Sequence, residues 1–179
     1  MTTQLSTEER AVTVAKEAII TEAKRIVENC LFTSKGHFYA AQFWAKFHLW
    51  IGFPTVILAA VAGTAALAKF DKDNIWAGVL SIIVVILTSV TTFLNPKEKA
   101  NAYLTAGNNY DSLLARTRMF WLIDCRMENS DEILTSRLKD LSEQRERLNR
   151  DCPQVPKGTY EKAKKGIEQG DADYKIDIV

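Results

Sequence analysis

The middle of this chain of 179 residues lacks charge. Residues 49–68 and 75–95 contain no Asp, Glu, Lys, Arg or His. Each run has about the 20 residues that a helix needs to cross a hydrocarbon core of ~30 Å. A buried helix in a soluble domain of this size normally keeps one polar face. The two runs therefore predict a transmembrane hairpin, and a buried hairpin in a soluble bundle is the alternative.

Cysteine and histidine are also scarce. The three cysteines, Cys30, Cys125 and Cys152, are widely spaced and form no CxxC pair, which excludes a disulfide framework and a zinc signature. We expect free thiols in a reducing compartment. The two histidines, His37 and His48, would lie about three turns apart on one helix, too far to share a metal ion. A role of these histidines in pH sensing stays open.

Motifs of catalysis are missing from the sequence. It has no Gly-rich phosphate loop, no HExxH motif and no nucleophile elbow. Its carboxylates alternate with Lys and Arg, which is typical of solvated helix faces. The formal net charge is only +1, without the basic stripe of a nucleic-acid-binding protein. We expect no enzyme activity, no cofactor, no bound metal and no nucleic-acid partner.

The pattern of the whole chain predicts one all-α domain over residues 1–179. We expect a membrane protein with a two-span helical hairpin and a cytoplasmic helical bundle built from both arms. A capping box at Ser6–Glu9 opens the first helix, and Thr33–Gly36 reads as a break, with Ser34 as a cap. The predicted elements are an amphipathic helix at 6–32, an aromatic-rich helix running into the first span at 34–68, the second span at 75–95, and helices at 96–128, 131–150 and 159–169.

Aromatic and basic residues cluster where the predicted spans begin and end. Trp and Tyr prefer the headgroup layer of a membrane, and Lys and His can keep their polar ends there. The lysines that precede the first span or follow the second most closely (Lys35, Lys46, Lys97 and Lys99) outnumber those of the link (Lys69 and Lys72), which favours cytoplasmic termini in a bacterial inner membrane. The polar N-terminus lacks the apolar region of a signal peptide. The candidate interface residues are Trp44, Lys46, His48, Trp50, Trp76 and Lys97.

The two spans differ in their faces. The first has small residues on one side, Gly52, Ala59, Gly63 and Ala66, which would allow close helix packing; packing against the second span is the favoured interpretation. The second has a polar stripe formed by Ser81, Thr88, Thr92 and Asn95. These side chains either bond within the hairpin, to their own helix or the first span, or face a pore or an oligomer seam.

Several local motifs add to this order of helices. The second span ends in Phe93-Leu94-Asn95-Pro96-Lys97-Glu98-Lys99-Ala100, Ala106–Arg116 reads AGNNYDSLLAR, and Pro153-Gln-Val-Pro156 precedes Tyr160. With these motifs the chain resembles the SLATT domains, which are two-span effector modules associated with SMODS nucleotidyltransferases and SLOG sensor domains. The likeness extends over about residues 6–178. One departure is Tyr103, because many relatives carry a histidine at that position, so no role of that histidine is carried over.

The resemblance implies a membrane effector of a prokaryotic antiviral conflict system. Such an effector would form homo-oligomers in the lipid membrane and perforate or disrupt the inner membrane, as in abortive infection. A nucleotide-signalling or sensor protein encoded nearby would supply the trigger. The alternative is a non-conducting anchor or scaffold whose cytoplasmic bundle recruits a partner.

Overall fold

A computed structural model describes residues 7–68, 75–127 and 130–172, with side chains of the first range described from residue 14 to 65. These residues form helices and connecting turns and contain no strand. The capping serine Ser6, the link at 69–74 with its two lysines, and the side chain of Ala66 lie outside this description. The elements are α1 (Thr7–Ala68), α2 (Ile75–Leu94), α3 (Pro96–Met119), a π-helical turn (Phe120–Asp124), α4 (Asp131–Asp151) and α5 (Lys157–Glu168).

The chain divides into two compact units. We call residues 1–39 and 103–179 the arm unit, and residues 40–102 the hairpin unit. The hairpin unit therefore contains both long apolar runs, while the arm unit contains most of the charged residues. Helices α1 and α3 contribute residues to both units.

Helix α1 corrects the prediction of a break at Thr33–Gly36, because it continues through these residues to Ala68. Ser34 does not cap a new helix; its buried hydroxyl donates to the Leu31 carbonyl at 3.1 Å. Gly36 serves packing instead, since a Cβ atom at this position would lie 2.8 Å from a methyl carbon of Val155. A tertiary contact here outweighs the weak helix propensity of the local sequence.

Asn95 separates α2 from α3. Its φ of 42° lies in the left-handed region, which Asn tolerates better than most residues. Its N–H donates to the Thr91 carbonyl at 3.0 Å, and its own carbonyl accepts from Lys99 at 3.2 Å. Pro96 then occupies the first position of α3, where its missing N–H costs nothing. The asparagine thus ends one helix and starts the next.

The core of the arm unit lies where α1, α3 and α4 pack together. Each of these helices contributes side chains that are at most 2% exposed: Ile26 and Cys30 of α1, Tyr110 of α3 and Leu134 of α4. Ser130 caps α4, because its hydroxyl accepts from the Ile133 N–H at 3.4 Å. Leu141 of α4 also belongs to this core, and Leu138 and Leu148 pack against it, so the arm unit has its own hydrophobic centre.

Candidate membrane hairpin and its surroundings

The two long apolar helices are almost uncovered. Only 6% of the most apolar window of each helix is buried, whereas the core helix of a soluble protein would be mostly buried. Leu49 and Phe53 of α1 are 67% and 71% exposed, and Ile82 of α2 is 63% exposed. Apolar surfaces of this extent are rare on soluble monomers. The hairpin therefore has the length and surface of a membrane-spanning pair.

The buried side of the hairpin unit is formed by small and aliphatic residues. On α1 Ala62 is buried and Leu58 half-buried; on α2 Ala77 is buried and Leu80 and Val84 are half-buried. Short side chains at the most buried points allow the helices to approach closely.

The candidate helix-packing face of the first span lies elsewhere on α1. Ala59 and Gly63 are exposed, and within the described part of the chain a Cβ atom at Gly52 or Gly63 would have no neighbour within 4 Å. In this single chain the hairpin is thus held by the face around Ala62, and the small residues remain open to the surroundings. Their packing partner stays a prediction.

The polar stripe of α2 is also open. Ser81, Thr88 and Thr92 are exposed, and Thr88 and Thr92 line a shallow groove beside Phe93. The Ser81 hydroxyl donates to the Ala77 carbonyl of its own helix at 2.8 Å, which is one of the two bonding patterns considered above. The stripe therefore does not need the first span to satisfy Ser81.

Asn95 differs from the other members of the stripe. Its side-chain amide donates to the Glu98 carboxylate on the first turn of α3. Together with its left-handed backbone, this bond gives the residue a structural role at the helix junction. The polar stripe along α2 therefore consists of the three hydroxyl residues Ser81, Thr88 and Thr92.

One end of the hairpin unit carries a cluster of aromatic rings. Phe47 stacks on Phe43 with ring centroids 6.3 Å apart and meets Trp44 edge-on at 5.7 Å. The ammonium of Lys99 lies 4.5 Å from the centroid of the Trp44 ring, a cation–π distance.

Among the predicted interface residues, Trp50 and Trp76 are 79% and 70% exposed, Lys46 and Lys97 are exposed, and Trp44 and His48 are half-buried.

Lys99 is a charged residue of this cluster that is absent from the interface residues predicted from the sequence. Its pairing with Trp44 joins α3 to α1, which are far apart in sequence. The available signal was the Lys-Glu-Lys run after Pro96. That run predicts positive charge at the start of α3, but it does not indicate which aromatic ring a lysine would contact.

A polar group lies inside the arm unit. His37 is 1% exposed, and its Nδ1 atom has no hydrogen-bond partner among the described residues. Its ring stacks on Tyr110 and tilts against Tyr103. Tyr103, at the position of the departure noted above, donates to the Gln154 carbonyl at 3.1 Å. Burial lowers the pKa of His37, which favours the neutral imidazole at neutral pH.

The thiols of the arm unit are kept protonated. Burial raises the pKa of Cys30 to about 11, with the charge of Arg145 acting in the opposite direction. Burial also raises the pKa values of Cys125 and Cys152. All three are free, and protonated thiols are poor nucleophiles and metal ligands. In the described ranges, no group of three or more His, Cys, Asp or Glu residues is placed to hold a metal ion.

The arm unit also has a groove of about 620 Å³ that the sequence analysis did not foresee. Helices α1 and α3 and the turn after α5 form its walls, so that its residues come together only in the fold. Its lining combines apolar and charged side chains, among them Leu31, Lys35, Asp111, Trp121 and Asp171.

The described residues form helices and turns, and two of the helices are apolar, uncovered and long enough to cross a membrane, which is typical of a two-span helical membrane protein. Comparison with protein families gives a more particular result: the model described as SMODS and SLOG-associating 2TM effector domain family 4, SLATT_4, matches residues 6–176. The chain belongs to this family, which confirms the resemblance drawn from its motifs. No curated protein and no solved structure gave a significant match.

Proposed function

We propose that this protein is the membrane effector of a prokaryotic antiviral defence system. It would oligomerise in the inner membrane and form a pore, or disrupt the bilayer, when a sensor partner is triggered. The observation that carries the proposal is the uncovered apolar surface of both hairpin helices, in a chain that belongs to a family of two-span effector domains. Cell damage would follow from loss of the membrane potential, without chemistry on a substrate.

Two exposed faces suggest how the copies would meet. The hydroxyls of Ser81, Thr88 and Thr92 lie on the open side of α2, and a polar stripe at membrane depth is best placed against water or protein. The small-residue face around Gly63 on α1 would let a helix of the next copy come close. In the proposed assembly the stripe lines the conduit and the small-residue face, with Ala66, forms the seam.

The orientation of the chain follows from its lysines. The excess of Lys outside the hairpin over Lys in the link favours cytoplasmic termini. The arm unit would then be available to a sensor or nucleotide-signalling protein in the cytoplasm. The family description, which names association with SMODS and SLOG, supports a partner of this kind encoded nearby.

A second candidate is a non-conducting anchor or scaffold. It is favoured by the bond from the Ser81 hydroxyl to the Ala77 carbonyl, since a hydroxyl satisfied by its own helix needs no water-filled pore. The groove of the arm unit would then receive a partner, and the hairpin would only hold the complex at the membrane.

Reconstitution of the full chain in liposomes separates the two candidates. Single-channel current and dye leakage are measured with and without the products of the neighbouring genes, while cross-linking reports the oligomer. The pore proposal expects current that appears or increases when the partner system is triggered. A triggered oligomer that carries no current would contradict the pore and support the scaffold.

A further inference from the structure

The hairpin unit carries a cationic and aromatic collar at one end, formed by Trp44, Lys46, Trp50, Lys97 and Lys99. The cation–π pair of Trp44 and Lys99 shows that the early part of the α1 segment and the start of α3 lie at the same level. With a rise of 1.5 Å per residue, Trp50 lies about 9 Å further along α1 than Trp44. The collar residues of α1 thus lie within about 9 Å of one another along the helix axis, at the end where Trp44 meets Lys99 of α3.

The collar is bounded by apolar surface. On α1 the exposed Leu49 lies beside Trp50 and Phe53, 71% exposed, follows it, while Phe93, 90% exposed, precedes the collar residues of α3 at the end of α2. From Trp50 to the end of α1 at Ala68 the helix extends about 27 Å at 1.5 Å per residue, close to the thickness of a hydrocarbon core. The collar therefore lies at the depth of the lipid headgroups when the hairpin spans a bilayer.

The charge of the collar is one-sided. Between residues 40–68 and 75–102 the sequence has three lysines, Lys46, Lys97 and Lys99, and one acidic residue, Glu98. Three positive charges minus one negative charge leave +2 at this end. Glu98 accepts from the Asn95 amide, while Lys46 and Lys97 are exposed. The local charge thus favours an anion in the headgroup layer.

We infer that the collar binds the phosphate groups of anionic phospholipids, such as phosphatidylglycerol. Lys46 and Lys97 supply exposed ammonium groups, and the Trp44 ring holds the ammonium of Lys99 at the same level. The tryptophan rings fit the boundary between headgroup and acyl chain, and the apolar residues below would contact the chains. The inference rests on the proposed insertion of the hairpin in a membrane and adds a lipid preference to it.

Quenching of tryptophan fluorescence by brominated lipids tests this preference. The full chain with Trp76→Phe and Trp121→Phe, so that emission comes from the collar, is placed in phosphatidylcholine nanodiscs. These contain equal small fractions of brominated phosphatidylglycerol or brominated phosphatidylcholine. Because one lysine at an anionic surface contributes about a fivefold gain in binding, we expect at least about fivefold stronger apparent binding of the anionic lipid. Raising the salt to 1 M should reduce the difference, since screening shortens the range of the charges.

Variants locate the effect on the collar. Lys46→Gln with Lys97→Gln and Lys99→Gln should abolish the preference. The matched control changes three exposed lysines of α5, Lys157→Gln, Lys164→Gln and Lys165→Gln, and should keep it. Equal quenching by both lipids with the native lysines, or an equal loss in both triple variants, would overturn the inference. If the collar variant does not fold, the comparison of the two lipids at low and high salt, made with the native lysines, still tests the inference.

The outcome is independent of pore formation. A lipid preference in a protein that conducts no current would support the collar and contradict the pore. Conductance without any lipid preference would support the pore and contradict the collar. Failure of both brominated lipids to quench the collar would contradict insertion itself, and with it both conclusions.

Discussion

The imidazole of His37 stacks on the ring of Tyr110, with 5.3 Å between the ring centroids and 18° between the planes. The Tyr110 hydroxyl in turn donates to the Asn149 side chain at 2.8 Å. The ring stack therefore joins α1 to α3, and the hydrogen bond of Tyr110 joins α3 to α4 within the arm unit. Burial raises the pKa of Tyr110 to about 12, so its hydroxyl stays protonated and keeps donating.

This arrangement predicts that the arm unit loses stability in mild acid. Burial lowers the pKa of His37 in the folded chain, whereas an unfolded chain takes up this proton near pH 6.5. Below about pH 6.5 the unfolded state therefore binds more protons, and the free energy of unfolding falls. It should be highest above this pH and decrease until the folded-state pKa is reached. Thermal unfolding in detergent, followed by near-UV circular dichroism from pH 8 to pH 5, measures the slope.

His37→Phe provides the control for this prediction. It keeps a flat ring against Tyr110 but cannot be protonated, so the slope between pH 6.5 and 5 should become smaller. The matched change outside the arm unit, His48→Phe, should leave the slope as it is. A slope that does not change in His37→Phe would show that other groups cause the acid sensitivity.

Gly107 should be hard to replace, because α3 meets Phe38 closely at this point. A Cβ atom at Gly107 would lie 2.8 and 2.9 Å from two carbons of the Phe38 ring. Alanine gains up to about 1 kcal/mol of helix propensity, but overpacking costs about 1–3 kcal/mol. We expect Gly107→Ala to be destabilising by up to about 2 kcal/mol, measured by chemical unfolding of the arm unit in the full chain.

Gly158→Ala on α5 is the matched control, since a Cβ atom there would meet nothing within 4 Å. Gly158→Ala should therefore show only the gain of helix propensity, so that the free energy of unfolding is unchanged or slightly higher. Equal effects of the two substitutions would contradict the close contact at Phe38.

The three cysteines should react at different rates. Cys30 and Cys125 are 0% and 1% exposed, whereas Cys152 is half-buried. Burial also raises the pKa of Cys30 to about 11, so little of the reactive thiolate is present at neutral pH. Pulse labelling with a maleimide, followed by mass spectrometry, should modify Cys152 first and the other two only when the arm unit opens. Cys152→Ser should remove the first event; rapid labelling that persists in this variant would contradict the burial of the other thiols.

The sequence predicts some parts of this structure better than others, for physical reasons. The second apolar run, 75–95, nearly coincides with α2 because hydrophobicity is a local property, and Pro96 marks the start of α3 through its fixed φ. The break expected at Thr33–Gly36 is wrong because the contact of Gly36 with Val155 depends on residues over a hundred positions away. Which side of α1 meets α2, and which ring Lys99 meets, likewise depend on the folded arrangement and not on helical spacing.

The polar stripe of α2 allows a direct test of the proposed pore. Thr88→Leu with Thr92→Leu replaces two exposed hydroxyl residues of α2 by larger apolar ones. Leucine favours insertion in a membrane, so the variant should still reach it. A conduit lined by leucine would exclude water, so toxicity on expression and liposome conductance should be lost together, while membrane fractionation stays normal. The control, Val79→Leu with Val90→Leu, adds bulk to exposed positions of the same helix outside the stripe and should retain both activities. Unchanged toxicity in the threonine variant would show that the stripe serves packing and that a conduit, if formed, is lined by other residues.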